Sequence, residues 1–102
     1  MLELRPNCEG CDKDLPPESL HAYICTYECT FCAECVEGLL MNVCPNCGGG
    51  FSPRPIRPVN ASRPGVSLVH QPASTERVVT KYTKDEIIEF SRPIQNINPE
   101  DR

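Results

Sequence analysis

The sequence predicts a small α+β unit held together by metal ions and followed by an extended tail. Three observations carry that reading. All eight cysteines of the 102-residue chain fall between positions 8 and 47, in four close pairs: Cys8/Cys11, Cys25/Cys29, Cys32/Cys35 and Cys44/Cys47. There is no Trp, and only three Phe and three Tyr. A module of this length also sits near the lower limit for unaided folding, about 40 residues. Ordering it costs roughly 1.5 kcal/mol per residue, more than so thin a core returns. A structural zinc site contributes on the order of 10–16 kcal/mol in apparent binding free energy, so two sites would outweigh the hydrophobic contribution.

Disulfides are the rival staple, and the redox compartment decides between them. The opening residues, Met-Leu-Glu-Leu-Arg-Pro-Asn, show no apolar core of a secretory signal and no small-residue cleavage site. No run approaches the ~18 apolar residues of a membrane span. The expected location is cytoplasmic, where thiols stay reduced, and tight C-x2-C pairs suit one metal better than two bridges.

Taken in order, residues 1–4 alternate apolar and acidic and could form a short strand. Asn7-Cys8-Glu9-Gly10-Cys11 reads as a metal knuckle, with Gly10 expected at positive φ so that amides point at the sulfurs. Residues 12–19 are a loop, because Pro16-Pro17 forbids regular structure. Residues 21–26 are the next strand candidate. Val36, Leu39 and Leu40 share one helical face and predict a short helix starting at Thr30 or Cys32 and ending at Asn42, weakened by Gly38. Cys44-Pro45-Asn46-Cys47-Gly48 is the strongest knuckle: Pro45 fixes φ after the first ligand, and Gly48 suits the tight turn after the second.

These elements define a module over residues 1–52 with two short strands and one short helix. A Pro/Arg-rich linker follows at 53–65, expected as an extended spacer. Residues 66–102 form an accessory tail, partly ordered at best. Within it, 66–69 and 77–82 are strand candidates. Thr83-Lys84-Asp85-Glu86 is a capping box that predicts a helix over 84–90.

The metal ligands expected are Cys8, Cys11, Cys25, Cys29, Cys32, Cys35, Cys44 and Cys47, holding two zinc ions with four thiolates each. Three partitions are open: sequential pairs, interleaved pairs, or the outer pairs around the inner ones. The order of ligands resembles the RING finger: a C-x2-C, a long loop, a close pair, a C-x2-C leading into a helix, and a final C-P-x-C. That resemblance covers residues 8–47. It implies the interleaved cross-brace, in which Cys8/Cys11 share an ion with Cys32/Cys35, and Cys25/Cys29 share one with Cys44/Cys47. Cys29 stands where RING fingers commonly use His. The features through which RING ligases bind conjugating enzymes are missing apart from Pro45. The chain as a whole also resembles a bacterial family of small cysteine-rich proteins of unassigned function.

Charge narrows the function. Residues 1–47 carry eight acidic and two basic side chains, a formal −6, and residues 48–102 carry six acidic and eight basic, +2. Two all-thiolate zinc sites would each add −2 to the first half, which makes the module a poor phosphate binder. Eight thiolates for two ions leave no open coordination position, so no enzyme is expected. Cys25-x3-Cys29-x2-Cys32 matches a radical-SAM iron–sulfur spacing, but the chain is too short for that chemistry. His21 and His70 read as ordinary surface histidines. The expected role is a non-enzymatic protein-interaction adaptor, with a homodimer through the tail as one form of it. The alternatives are nucleic-acid binding through Arg54, Arg57 and Arg63, and a thiol-based redox or metal sensor.

Overall fold

A three-residue hairpin lies at the centre of the fold. The computed structural model describes residues 1–102. Strand β1, Ala22–Ile24, pairs antiparallel with β2, Thr30–Cys32, in the register Ala22↔Cys32, Tyr23↔Phe31 and Ile24↔Thr30. Strand β3, Ser52–Pro53, pairs antiparallel with the other side of β1, giving the order β2-β1-β3. Pro53 has no N–H to offer, which suits an edge strand. The sheet therefore has three strands, not two. The residues read as the lead into the helix, Thr30-Phe31-Cys32, are a strand of their own, and residues 1–4 are irregular.

Helix α1, Ala33–Gly38, follows β2 without a loop. It ends four residues before the expected stop at Asn42. Gly38 is a poor helix former. Beyond it the amides of Leu39 and Leu40 both donate to the Cys35 carbonyl. The chain then turns through Met41 and Asn42, both in left-handed backbone with φ of 52° and 57°.

Half of the central core is sulfur. Its twelve buried residues include Cys8, Cys25, Cys29, Cys32, Cys35 and Cys44, with Phe31, Leu15, Leu40, Ala22, Val36 and Ile87 between them. Phe31 is fully buried and meets Phe51 edge-on, ring centroids 5.5 Å apart. Removing the sulfurs from consideration leaves a handful of side chains, too few to hold a fold of this size.

Residues beyond 53 lie against this unit. Arg54 is 4% exposed and donates to the carbonyls of Arg5 (2.8 Å), Leu15 (3.4 Å) and Pro16 (3.1 Å). Burial pulls its guanidinium below the ordinary value. Arg57 donates to the carbonyls of Leu2 and Gln71, both at 2.7 Å. The linker is thus fastened to the irregular N-terminal segment and does not act as a free spacer. Residues 66–69 and 77–82 are not strands. The first opens a turn in which the Ser67 hydroxyl meets His70 Nδ1 at 2.8 Å, and the second runs extended without a ladder. Helix α2, Lys84–Ser91, carries the full capping box: Thr83 Oγ1 accepts from the Glu86 amide, and the Glu86 carboxylate accepts from the Thr83 amide. That second bond also holds the Glu86 carboxyl below its ordinary value. Ile87 of α2, 2% exposed, reaches the core. No helix is long and apolar enough to cross a membrane.

Arg54→Ala is expected to lower the unfolding free energy by about 2–4 kcal/mol, because three carbonyls lose a charged donor. Arg54→Lys should recover only part, since an ammonium cannot span the three acceptors. Chemical denaturation followed by circular dichroism measures both.

Candidate metal centre

The hairpin and α1 place the inner cysteines. Cys25 and Cys29 bracket the β1–β2 turn, which closes through Cys25 N–H to Cys29 O and Glu28 N–H to Cys25 O. Glu28 takes φ of 67° to make that turn. Cys32 ends β2 and caps α1, and Cys35 sits in the first helical turn. The outer pairs, Cys8/Cys11 and Cys44/Cys47, lie on two loops that share one geometry. Cys8 N–H donates to Lys13 O and Asp12 N–H to Cys8 O, at 2.8 and 2.9 Å. Cys44 N–H donates to Gly49 O and Gly48 N–H to Cys44 O, at 2.8 and 2.7 Å. The residue after the second cysteine is left-handed in both loops: Asp12 at φ 63° and Gly48 at φ 79°. Gly48 was expected there. Asp12 was not, and a non-glycine residue in that region costs about 1–2 kcal/mol.

Two thiol clusters result. The sulfurs of Cys8, Cys11, Cys32 and Cys35 all lie within 4.8 Å of one another. So do those of Cys25, Cys44 and Cys47. Cys29 stands at the margin of the second cluster. Its sulfur accepts from Asn46 Nδ2 at 3.4 Å, and it interacts electrostatically with Cys25. The first pair therefore meets the third, and the second meets the fourth: the interleaved arrangement. No sulfurs are bonded to each other, and all eight cysteines are free. Cys11 Sγ and Cys32 Sγ are 3.8 Å apart, far beyond a disulfide bond of about 2.05 Å.

The clusters have the donor chemistry of a metal site. Backbone amides point at the sulfurs, from Gly10 and Cys11 to Cys8, from Tyr27 to Cys25, and from Gly49 to Cys47, at 3.3–3.5 Å. Such donors stabilise a thiolate over a thiol. Without an ion, burial pushes the Cys35 and Cys44 thiols well up, with neighbouring cysteines adding to the effect, and raises Cys29 as well. Packing these sulfurs together is thus unfavourable for anions unless a cation joins them. Each cluster keeps one exposed member, Cys11 in the first and Cys47 in the second.

Gly10 serves a different purpose from the one expected. Its φ is not positive. A Cβ there would stand 3.1 Å from Cys35 Sγ and 3.4 Å from Phe31 Cδ1, so glycine lets the first loop approach the helix. His21 is exposed on the loop before β1, and His70 is engaged by Ser67; neither joins a cluster.

Sequence reading missed several side chains around the centre. Asn7, fully buried, donates to Val78 O at 2.8 Å and accepts from Val78 N–H at 3.2 Å, pinning the tail beside Cys8. Glu9, 2% exposed, accepts from Thr30 N–H at 2.6 Å and Arg5 Nη1 at 2.7 Å. A polar side chain next to a ligand was the only available signal for either.

A family model described as "Protein of unknown function (DUF1272)" matches residues 1–57, a span that contains all eight cysteines. The chain is also 57% identical over 79 residues to "Uncharacterized protein R02474" of Rhizobium meliloti (strain 1021), covering 78% of this chain and 87% of that protein. This second match is longer than the first and so reaches into the tail. No solved structure matches.

Gly10→Val should displace Cys35 and cost the chain one bound ion while leaving the second cluster loaded, as elemental analysis per chain would read. Because raised thiols hold their protons, loading an ion must release them, and retention falls as pH falls. A chelator should therefore strip metal markedly faster at about pH 5.5 than at about pH 7.5.

Proposed function

We propose that this chain, which belongs to the DUF1272 family, is a non-enzymatic structural module that binds two zinc ions and presents a rigid surface to a protein partner. The interleaving of the thiol clusters carries the reading. The 3.8 Å spacing of Cys11 and Cys32 equals the edge of a sulfur tetrahedron around zinc, about 3.8 Å for a Zn–S bond of about 2.3 Å. Ligands to the first ion are Cys8, Cys11, Cys32 and Cys35. Those to the second are Cys25, Cys44 and Cys47, with Cys29 completing the set by a small movement of the hairpin turn. Each ion draws its ligands from two segments distant in sequence and locks them into one body. All eight thiolates are used, so no coordination position is left for a substrate or an activated water, and the role is structural.

Exposed apolar side chains on the rigid part support a protein partner. Leu20, before β1, and Tyr27, at the tip of the hairpin, are 78% and 73% exposed. Both lie on segments anchored by a cluster, so they lose little entropy on binding. Tyrosine in particular suits a contact that is apolar on one side and wet on the other. Nucleic-acid binding through the linker is disfavoured, because Arg54 and Arg57 are spent on backbone carbonyls and only Arg63 is left exposed.

Purified protein should be colourless and contain two zinc ions per chain by elemental analysis; brown protein containing iron overturns the assignment. Tyr27→Ala and Leu20→Ala chains with native zinc content should fail to retain the partner that the native chain captures from its host. Retention undiminished in both would place the contact elsewhere, including on a second copy of the chain through its tail.

A further inference from the structure

The two outer loops are equivalent, and the tail brings an arginine to the same carbonyl of each. In the first loop Arg77 Nη2 donates to Asp12 O at 2.6 Å. In the second, Arg102 Nη1 donates to Gly48 O at 3.3 Å and to Asn42 O at 2.7 Å. Asp12, Gly48 and Asn42 are all left-handed. Asp12 and Gly48 each directly follow the exposed cysteine of their cluster, Cys11 and Cys47. From these coincidences we infer that Arg77 and Arg102 are positioning residues for the metal ligands. Each holds the turn that aims an exposed cysteine at its ion and so governs how readily that ion is lost. The inference rests on the two-ion reading above and extends the metal centre into a tail that lies outside residues 1–57.

A left-handed residue follows the exposed cysteine of each loop. Asp12, not being glycine, favours relaxing to ordinary backbone. In the second loop Gly48 carries no such penalty, and the strained residue whose carbonyl Arg102 holds is Asn42, just before Cys44. Relaxation at Asp12 would swing Cys11, the cluster's one exposed cysteine, away from Cys8, Cys32 and Cys35. A guanidinium fixed on the Asp12 carbonyl opposes that swing. Arg77 is itself held by a fork of contacts: Nε and Nη2 on Asp12 Oδ1 at 3.1 and 2.8 Å, and Nη1 on Asp14 Oδ1 at 2.7 Å. Isolated surface ion pairs contribute little, but a planar fork satisfied on several atoms is the exception. The reciprocal bonds between Asn7 and Val78 set the next residue of the tail, which places Arg77. Arg102 is fixed in turn by Nε to Ile97 O at 3.0 Å, and Phe90 and Ile94 approach Gly48. The two arginines differ in one respect that matters for a test. Arg77 relies on two exposed carboxylates and is open to salt screening, whereas Arg102 relies on neutral carbonyls.

The experiment uses the 102-residue chain loaded with cadmium-113, whose two NMR resonances are assigned by Cys11→Ser and Cys47→Ser. Release of each ion to a chelator is then timed in Arg77→Gln and Arg102→Gln. The expected result is site-selective: Arg77→Gln speeds loss from the Cys8/Cys11/Cys32/Cys35 cluster by about 10-fold or more, and Arg102→Gln does so for the other cluster alone. Added salt should speed release from the first cluster of the native chain and have little effect in Arg77→Gln. Unchanged rates in both variants, or loss from both clusters alike in each, overturns the inference, the second pattern being that of a tail with a merely structural role. A native chain that takes up no cadmium would instead sink the two-ion reading itself.

Discussion

Everything in this fold depends on drawing each sulfur cluster from alternate cysteine pairs. Sequential pairing would make two beads on a string, each free to turn about the chain between them. Interleaving runs the chain from 12 to 24 and the hairpin turn at 25–29 between the two clusters, so each cluster helps to position the ligands of the other without being required for it. That explains how a chain whose regular structure is three strands of two or three residues, two short α-helices and one 3-10 turn at Pro99–Asp101 takes up one arrangement. The sulfurs occupy the interior that aliphatic side chains fill in a larger domain. The true apolar residues, Phe31, Leu40 and Val36, act as spacers between them.

A fold with so little regular structure leaves many carbonyls without an amide partner. Of 40 backbone–backbone hydrogen bonds, only 11 lie within helices and strands. Arginine makes up the difference. Arg54, Arg57, Arg77 and Arg102 all donate to main-chain oxygens, joining segments far apart in sequence. A planar donor with several N–H groups suits irregular loops, because it does not require its acceptors to be evenly spaced. It also brings positive charge to a half of the chain that carries −6 before any thiolate is counted.

What could be read from the residues follows from how local each signal is. The grouping of the cysteines was legible because close pairs two or three residues apart are a recurrent spacing of thiolate metal sites and form a purely local pattern. The helix at 84–91 was legible from its capping box, a four-residue pattern with a direct hydrogen-bond consequence. Strand β2 was not, since three residues offer no periodicity and Cys32 serves both strand and helix. The role of Gly10 was misjudged for a related reason: a close approach to Cys35 is a tertiary fact, while positive φ is a local guess. The tail was least legible. Apart from Ile87, its contacts are single arginines, one buried asparagine and isolated backbone bonds acting across more than fifty residues, and no pattern of hydrophobicity records them.

That division bears on what the linker and tail are for. As residues, Arg54, Arg57 and the prolines around them describe a stiff, basic arm suited to phosphates. In the fold, Arg54 is as buried as a core leucine, and its charge is enclosed by three carbonyls. Removing a guanidinium from water is unfavourable unless its donors are satisfied, so such a residue is retained for the segments it connects. Those segments are the first loop, at Arg5, Leu15 and Pro16, and the strand β3 that completes the sheet. The arm is therefore part of the frame around the clusters. The proposed contact therefore rests on the rigid module, where the side chains of Leu20 and Tyr27 are largely exposed.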